Sequence, residues 1–241
     1  MRLVFLFLIV VNLSLFAADA DDFNDEFFEL KREPFDPLSS YNRVVTNFND
    51  YVFMHILDPY LFKGYEYVAP EVVRSSIKSF FDNLKFPVTF VNNLLQLKFQ
   101  RAWIDVERFG VNSTVGLFGF FDPATTWLGL SKSNEDFGQT LGYYGVGGGF
   151  PIALPFLGQY NLRDLAGGLI DTAADPVYYQ DYRQYNLSDN MYESWGIIAY
   201  KNFNEASLRA NEYKEFRKDA LDLYPFIRDA YEQNREMLIK E

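Results

Sequence analysis

The chemistry open to this 241-residue chain is set by 1 histidine, no cysteine and 33 carboxylates. His55 falls on the apolar side of a predicted helix, where a packed, hydrogen-bonded imidazole is the simple reading. A catalytic triad or a zinc site would rest on that one residue, and no HExxH spacing accompanies it. Asp122, Asp164, Asp171 and Asp175 could pair as general acid and base, but helix capping and turn formation explain an Asp beside Pro or Gly as well. The cluster Gly145–Gly149 lacks the Gly-Lys-Ser/Thr of a phosphate loop, and residue 150, where a third GxGxxG glycine would fall, is Phe. No GxSxG nucleophile elbow is present. The expectation is a protein that is not an enzyme and needs no metal or cofactor.

Two polar features invite a non-catalytic reading. On an otherwise apolar helix predicted to start at Pro87, Thr89, Asn92, Asn93 and Gln96 recur at spacings of three and four. The stripe is polar but uncharged. It suits either a face lining a wet internal path or a core helix whose amides are satisfied by neighbours. The second feature is Gly142, Gly145, Gly147, Gly148 and Gly149, five glycines within eight residues. Either the backbone must move there, or it is a fixed turn needing positive φ at several sites.

The elements that would position these residues read as mainly helical. Tyr41, Val44, Val45, Phe48, Tyr51, Val52 and His55 form one face of a helix, with Asn42, Thr46 and Asn49 opposite and Asp58-Pro59 as its stop. Pro70-Glu71 opens a second helix, with Val73, Ile77, Phe80, Phe81 and Leu84 as its apolar stripe. Residues 99–116 suit a further helix carrying an Arg101–Asp105 pair, and 117–130 a hairpin or broken helix. Residues 201–241 are charged with helical spacing, split by Pro225. Tyr213, Phe216, Leu221, Leu223, Ile227, Ala230 and Tyr231 are the candidates there for docking on the body. Strand signals are few.

Composition narrows the setting. Aromatics make up 19% of residues, an excess that suits either an aromatic core or contact with lipid. A net charge of −11 argues against nucleic acid and against adhesion to anionic headgroups through a basic patch. Residues 1–20 carry Arg2, a short apolar run from Leu3 to Val11, and Ala18-Asp19-Ala20, the layout of a Sec-type export signal cut before Asp21. An uncleaved anchor is the other reading of that segment. Residues 21–38 form an acidic leader, and 39–241 a single helical domain. No stretch of the mature chain has the 18 consecutive apolar residues of a spanning helix.

Several segments, in colinear order, resemble the MlaA/VacJ family. They begin with Asn42-Arg43, Asn47-Phe48-Asn49 and Leu57-Asp58-Pro59-Tyr60. Arg108-Phe109, Asn112-Ser113-Thr114 and Asp122 follow, then Phe137 to Gly147 and Arg163-Asp164, and finally Asp222 to Tyr231. The resemblance runs from about residue 37 to 235. It implies a doughnut-like helical domain seated on the periplasmic side of the outer membrane, with a central channel for phospholipid. It implies that stray phospholipid leaves the outer leaflet, passes to a periplasmic MlaC-like carrier, and that the protein associates with a trimeric porin. In that picture Asn92, Asn93 and Gln96 line the channel, and the glycines at 142–149 belong to a gating hairpin at its mouth. The departure is the absent lipobox cysteine, which leaves the mode of anchoring open. The competing class is a non-catalytic envelope adaptor that uses its aromatic helices for protein contacts.

Overall fold

The computed structural model describes residues 35–178 and 187–241. Residues 1–34, which hold the expected export signal and most of the expected leader, lie outside the described residues. The chain folds mainly into helices: α1 (Ser39–Val52), α2 (Lys63–Val68), α3 (Glu71–Leu84), α4 (Phe86–Leu95), α5 (Phe99–Thr114), α6 (Pro123–Thr126) and α7 (Phe137–Tyr143). A two-stranded antiparallel hairpin follows, β1 (Pro151–Leu154) with β2 (Gly158–Asn161), then α8 (Leu162–Asp171), α9 (Met191–Leu208), α10 (Ala210–Lys218) and α11 (Leu223–Lys240).

Helix ends follow the local chemistry. Asp136, Asn161 and Asn190 stand in extended conformation before α7, α8 and α9, and each side chain accepts a backbone N–H of the first turn. Between α4 and α5, Leu97 adopts positive φ, and at the end of α5 so do Leu117 and Phe118.

Pro59 does not stop the first helix. The chain passes from α1 into a π-helical segment, Phe53–Phe62, that contains Pro59 and leads directly into α2. A proline ring collides with the carbonyl four residues back in an α-helix; the wider π turn lets that carbonyl stand aside. Pro225 likewise sits within the first turn of α11, where a missing N–H costs nothing, so the breaks fall at Arg209 and at 219–222 instead. Arg101 and Asp105 do not pair: Arg101 reaches toward Glu241 at 3.8 Å, and Asp105 receives Asn93.

Several helices turn polar residues inward, and in α1 this reverses the face that the apolar stripe suggests. In α1, Asn42, Val45, Thr46 and Asp50 are buried while Tyr41, Val44, Phe48 and Tyr51 are exposed. In α3 the buried residues are Arg74 and Phe81, with Val72 and Val73 outside. In α5, Ala102, Asp105, Arg108 and Asn112 face inward, and Phe99, Trp103 and Phe109 face outward. In α8, Arg163, Asp164 and Gly167 are inside and Leu162, Leu169 and Ile170 outside. Periodicity gives the repeat but not the side that faces in. An apolar stripe turns inward only when water is the outer solvent. Conventional hydrophobic packing is concentrated where the π-helical segment meets α9 and α10, around Phe53, Leu57, Phe62, Ala199, Ala206, Ala210 and Tyr213. Among the described residues, no helix is long and apolar enough to cross a membrane.

Candidate functional site

The uncharged stripe of α4 is inside the protein. Asn92, Asn93 and Gln96 are 2%, 0% and 1% exposed, so their amides meet protein groups rather than an open path. The Asn92 amide donates to Asp171 (2.9 Å), and its oxygen accepts from Thr140 (2.7 Å). Asn93 donates to Asp105 (2.7 Å) and Ser133 (2.8 Å). Gln96 donates to Glu135 (2.8 Å) and Thr140 (3.2 Å), and Lys98 closes on Glu135 at 2.8 Å. One helix face thereby joins α5, the 130–136 segment, α7 and α8 through hydrogen bonds, several of them to carboxylates and so stronger than amide–amide ones. The amide oxygens of Asn93 and Gln96 have no partner among the described residues.

Burial dominates the electrostatics of this network. It pushes the Asp105 carboxyl up to about 6, against the opposing hydrogen bonds of Asn93 and Thr89. Burial likewise pushes Asp171 up to about 6, against hydrogen bonds from the Phe137 N–H and Asn92. A second buried cluster centres on Arg235, which grips Asp136 with two hydrogen bonds (2.7 and 2.8 Å) and reaches Asp164. Tyr231 and Arg163 also bind Asp164. Burial opposes ionisation of Asp136, but Arg235 outweighs it and holds that carboxyl well below the usual range.

A small cavity of about 50 Å³ opens among α3, α4, α5 and the segment before α7. Its floor includes Asp105, Arg108 and Asn112, all buried. Phe86 and Phe109, stacked at 4.4 Å, stand at its apolar side. Arg108 pairs with Asp122 (2.9 Å) and Lys132 with Asp82 (2.7 Å). Burial works against the Asp82 charge, yet Lys132 and Lys78 hold the carboxyl down to about 2.

The signature residues have structural tasks. Asn42 and Asn49, two turns apart on α1, act as surrogate strand edges for the hairpin. Asn42 donates to the Pro151 carbonyl and accepts the Ala153 N–H; Asn49 donates to the Leu154 carbonyl and accepts the Phe156 N–H. Phe48 packs edge-on against Phe156. Arg43 pairs with Asp222 and Asp58 with Lys214, tying this region to α10 and α11. Asn47 is exposed, and Pro59 lies within the π-helical segment. His55 is also exposed, stacked on Tyr51 rather than packed inside.

The glycine segment precedes the hairpin rather than forming it. Gly145 and Gly149 have φ of +85° and +76°. A Cβ at Gly142 would strike Ile239, and one at Gly148 would lie 2.8 Å from Asn161. Only around Gly147, of these five, is there neither positive φ nor a close neighbour. The Val146 carbonyl accepts from the Arg163 side chain (3.2 Å), and the Gly148 carbonyl from the Arg163 N–H (3.1 Å).

Sequence reading gave Asp105 to a pair with Arg101 and Asp171 to capping or acid–base pairing, and missed Glu135, Asp136 and the Arg235 clamp. Asp105, Arg108 and Asn112 at spacings of three and four opposite Phe99 and Trp103 were the available signal.

These features define a class: a mainly helical protein with a hydrogen-bonded polar network inside and many apolar and aromatic side chains exposed. The MlaA lipoprotein family model matches residues 34–238, and the chain belongs to that family. It is 30% identical over 250 residues to an uncharacterized protein of Rickettsia bellii, covering 98% of this chain and 93% of that protein. It is 31% identical over 212 residues to the intermembrane phospholipid transport system lipoprotein MlaA of Haemophilus influenzae, covering 86% and 80%. A solved structure described as the "Structural basis for maintenance of bacterial outer membrane lipid asymmetry" superimposes with a TM-score of 0.68 at 29% identity, covering 85% of this chain and 98% of that one.

Proposed function

We propose that this protein transports phospholipid within the bacterial envelope, seated in the periplasmic side of the outer membrane, and that it removes stray phospholipid from the outer leaflet. The observation that carries the reading is that several helices turn polar residues inward. Buried Asn, Asp and Arg residues satisfy one another inside, while Val44, Tyr51, Val72, Trp103, Leu169 and Trp195 face out. An exposed apolar exterior of this extent belongs against hydrocarbon, and aromatic residues favour the interface between hydrocarbon and water. The names of the related transport lipoproteins point the same way.

In this reading the apolar exterior supplies the membrane attachment. The lipid leaves through a channel in a doughnut-like body toward a soluble MlaC-like carrier, and a trimeric porin is the expected membrane neighbour. A gate at residues 142–149 would have to move a segment now held by Arg163. A reversible disulfide joining that segment to α11 tests it: a gate predicts transport lost on oxidation and regained on reduction.

Transfer is tested with protein reconstituted in vesicles holding a fluorescent phospholipid and a soluble carrier outside. Protein-dependent appearance of the label on the carrier is expected. A transfer rate equal to that of protein-free vesicles would overturn the reading.

A further inference from the structure

We propose that the cavity between α3, α4, α5 and the 131–133 segment binds a phosphoethanolamine group, with Lys85 taking the phosphate and Asp105 the primary ammonium. The inference rests on the phospholipid reading above and names the headgroup.

Six charged residues line the cavity, three of each sign: Lys85, Arg108 and Lys132 against Asp82, Asp105 and Asp122. Four of them are spent on each other, as Asp82 with Lys132 and Arg108 with Asp122. Lys85, half-buried at the corner between α3 and α4, makes no ion pair among the described residues. Asp105 is buried on the floor and receives an amide from Asn93 rather than a cation. The cavity therefore retains one cation and one anion outside its ion pairs, with Asp136 and Asp171 near enough to Lys85, and Arg108 near enough to Asp105, to be felt electrostatically. A singly anionic headgroup would satisfy the first and be repelled by the second. A zwitterion with a donor-bearing ammonium satisfies both.

At the ammonium end Ser133, which accepts from Asn93 and also lines the cavity, is a further acceptor beside Asp105. A group bringing N–H donors is what this corner lacks, which favours a primary ammonium over a quaternary one. The stacked pair Phe86 and Phe109 flanks the polar floor, so a headgroup placed inside leaves its glycerol end against aromatic surface. The volume, about 50 Å³, has room for roughly four water-sized groups, enough for the ammonioethyl end of the headgroup and too small for an acyl chain.

Calorimetric titration of the detergent-purified full chain with dihexanoyl phosphatidylethanolamine, dihexanoyl phosphatidylglycerol and free phosphoethanolamine tests this. Wild type is expected to prefer the ethanolamine lipid over the glycerol lipid by about tenfold or more, the scale of one charge-assisted hydrogen bond. Lys85→Gln should weaken both lipids by a similar factor. Asp105→Asn, which keeps the side-chain shape, should weaken the ethanolamine lipid alone and erase the preference. Lys85 is partly exposed, so Lys85→Gln and the reversal Lys85→Glu decide the question if Asp105→Asn fails to fold. Lipid binding by wild type with no headgroup preference, and unchanged in the Lys85 variants, would overturn the site and leave the transport reading standing. Binding of free phosphoethanolamine without either lipid would overturn the lipid source. No binding of any titrant would overturn both proposals.

Discussion

Asn93→Leu separates a buried polar network from a wet lining most sharply. Asn93 is fully buried and donates to the Asp105 carboxylate at 2.7 Å and to Ser133 at 2.8 Å. Leucine removes both donors. The bond to a charged acceptor is worth about 1.5–3 kcal/mol and the neutral one about 1, and a buried carboxylate left under-bonded adds to that. Leucine also carries more apolar surface into a polar interior, where no apolar partner awaits it. The expected loss is about 4 kcal/mol. At roughly 2–4 °C per kcal/mol for a chain of this size, thermal unfolding followed by circular dichroism in detergent should fall by about 8–16 °C. A shift of under about 2 °C, with helical content unchanged, would refute the reasoning and return Asn93 to an open, solvated face.

Further outcomes follow from other residues. Gly149→Ala places a side chain at φ +76° and should cost about 1–2 kcal/mol, whereas Gly147→Ala, with open space around it, should be neutral or stabilising by up to about 1 kcal/mol; thermal unfolding of the two single variants compares them. Gly167→Ala would drive a Cβ into the Gly138 backbone where α7 crosses α8, and should lower the unfolding temperature by the equivalent of about 1–3 kcal/mol or more. The raised carboxyls give a pH dependence. The folded protein holds protons on Asp105 and Asp171 up to about pH 6 while the unfolded chain releases them near 4, so their contribution to stability is greatest below pH 4 and falls as pH rises through 6. For Asp105 the span is worth about 3 kcal/mol. Asp105→Asn should flatten the slope of unfolding temperature between pH 4 and 6, and an unaltered slope in that variant would contradict the assignment.

The helices were largely legible in the sequence, because spacings of three and four survive whichever way a helix faces. The facing of α1, α3, α5 and α8 was not, since the choice depends on the outer solvent and not on the repeat. Pro59 misled because a local rule about α-helices does not cover a π turn. Of the site, the Asn92, Asn93 and Gln96 stripe stood out as unusual. Its carboxylate partners did not, because Asp105, Glu135 and Asp171 arrive from elements 12 to 79 residues away. The Lys85 cavity was invisible for the same reason. The pairing of Asn42 and Asn49 with the hairpin was present only as a family signature, since nothing in a helix reveals that two of its amides will imitate a strand.

The central claim, that this protein carries phospholipid, is tested most directly by extracting lipid from protein purified in mild detergent and weighing it by mass spectrometry. Phospholipid is expected at about one molecule or more per chain after exhaustive detergent exchange, well above the amount retained by an unrelated membrane protein of similar size treated identically. Phospholipid at or below that control would contradict the account.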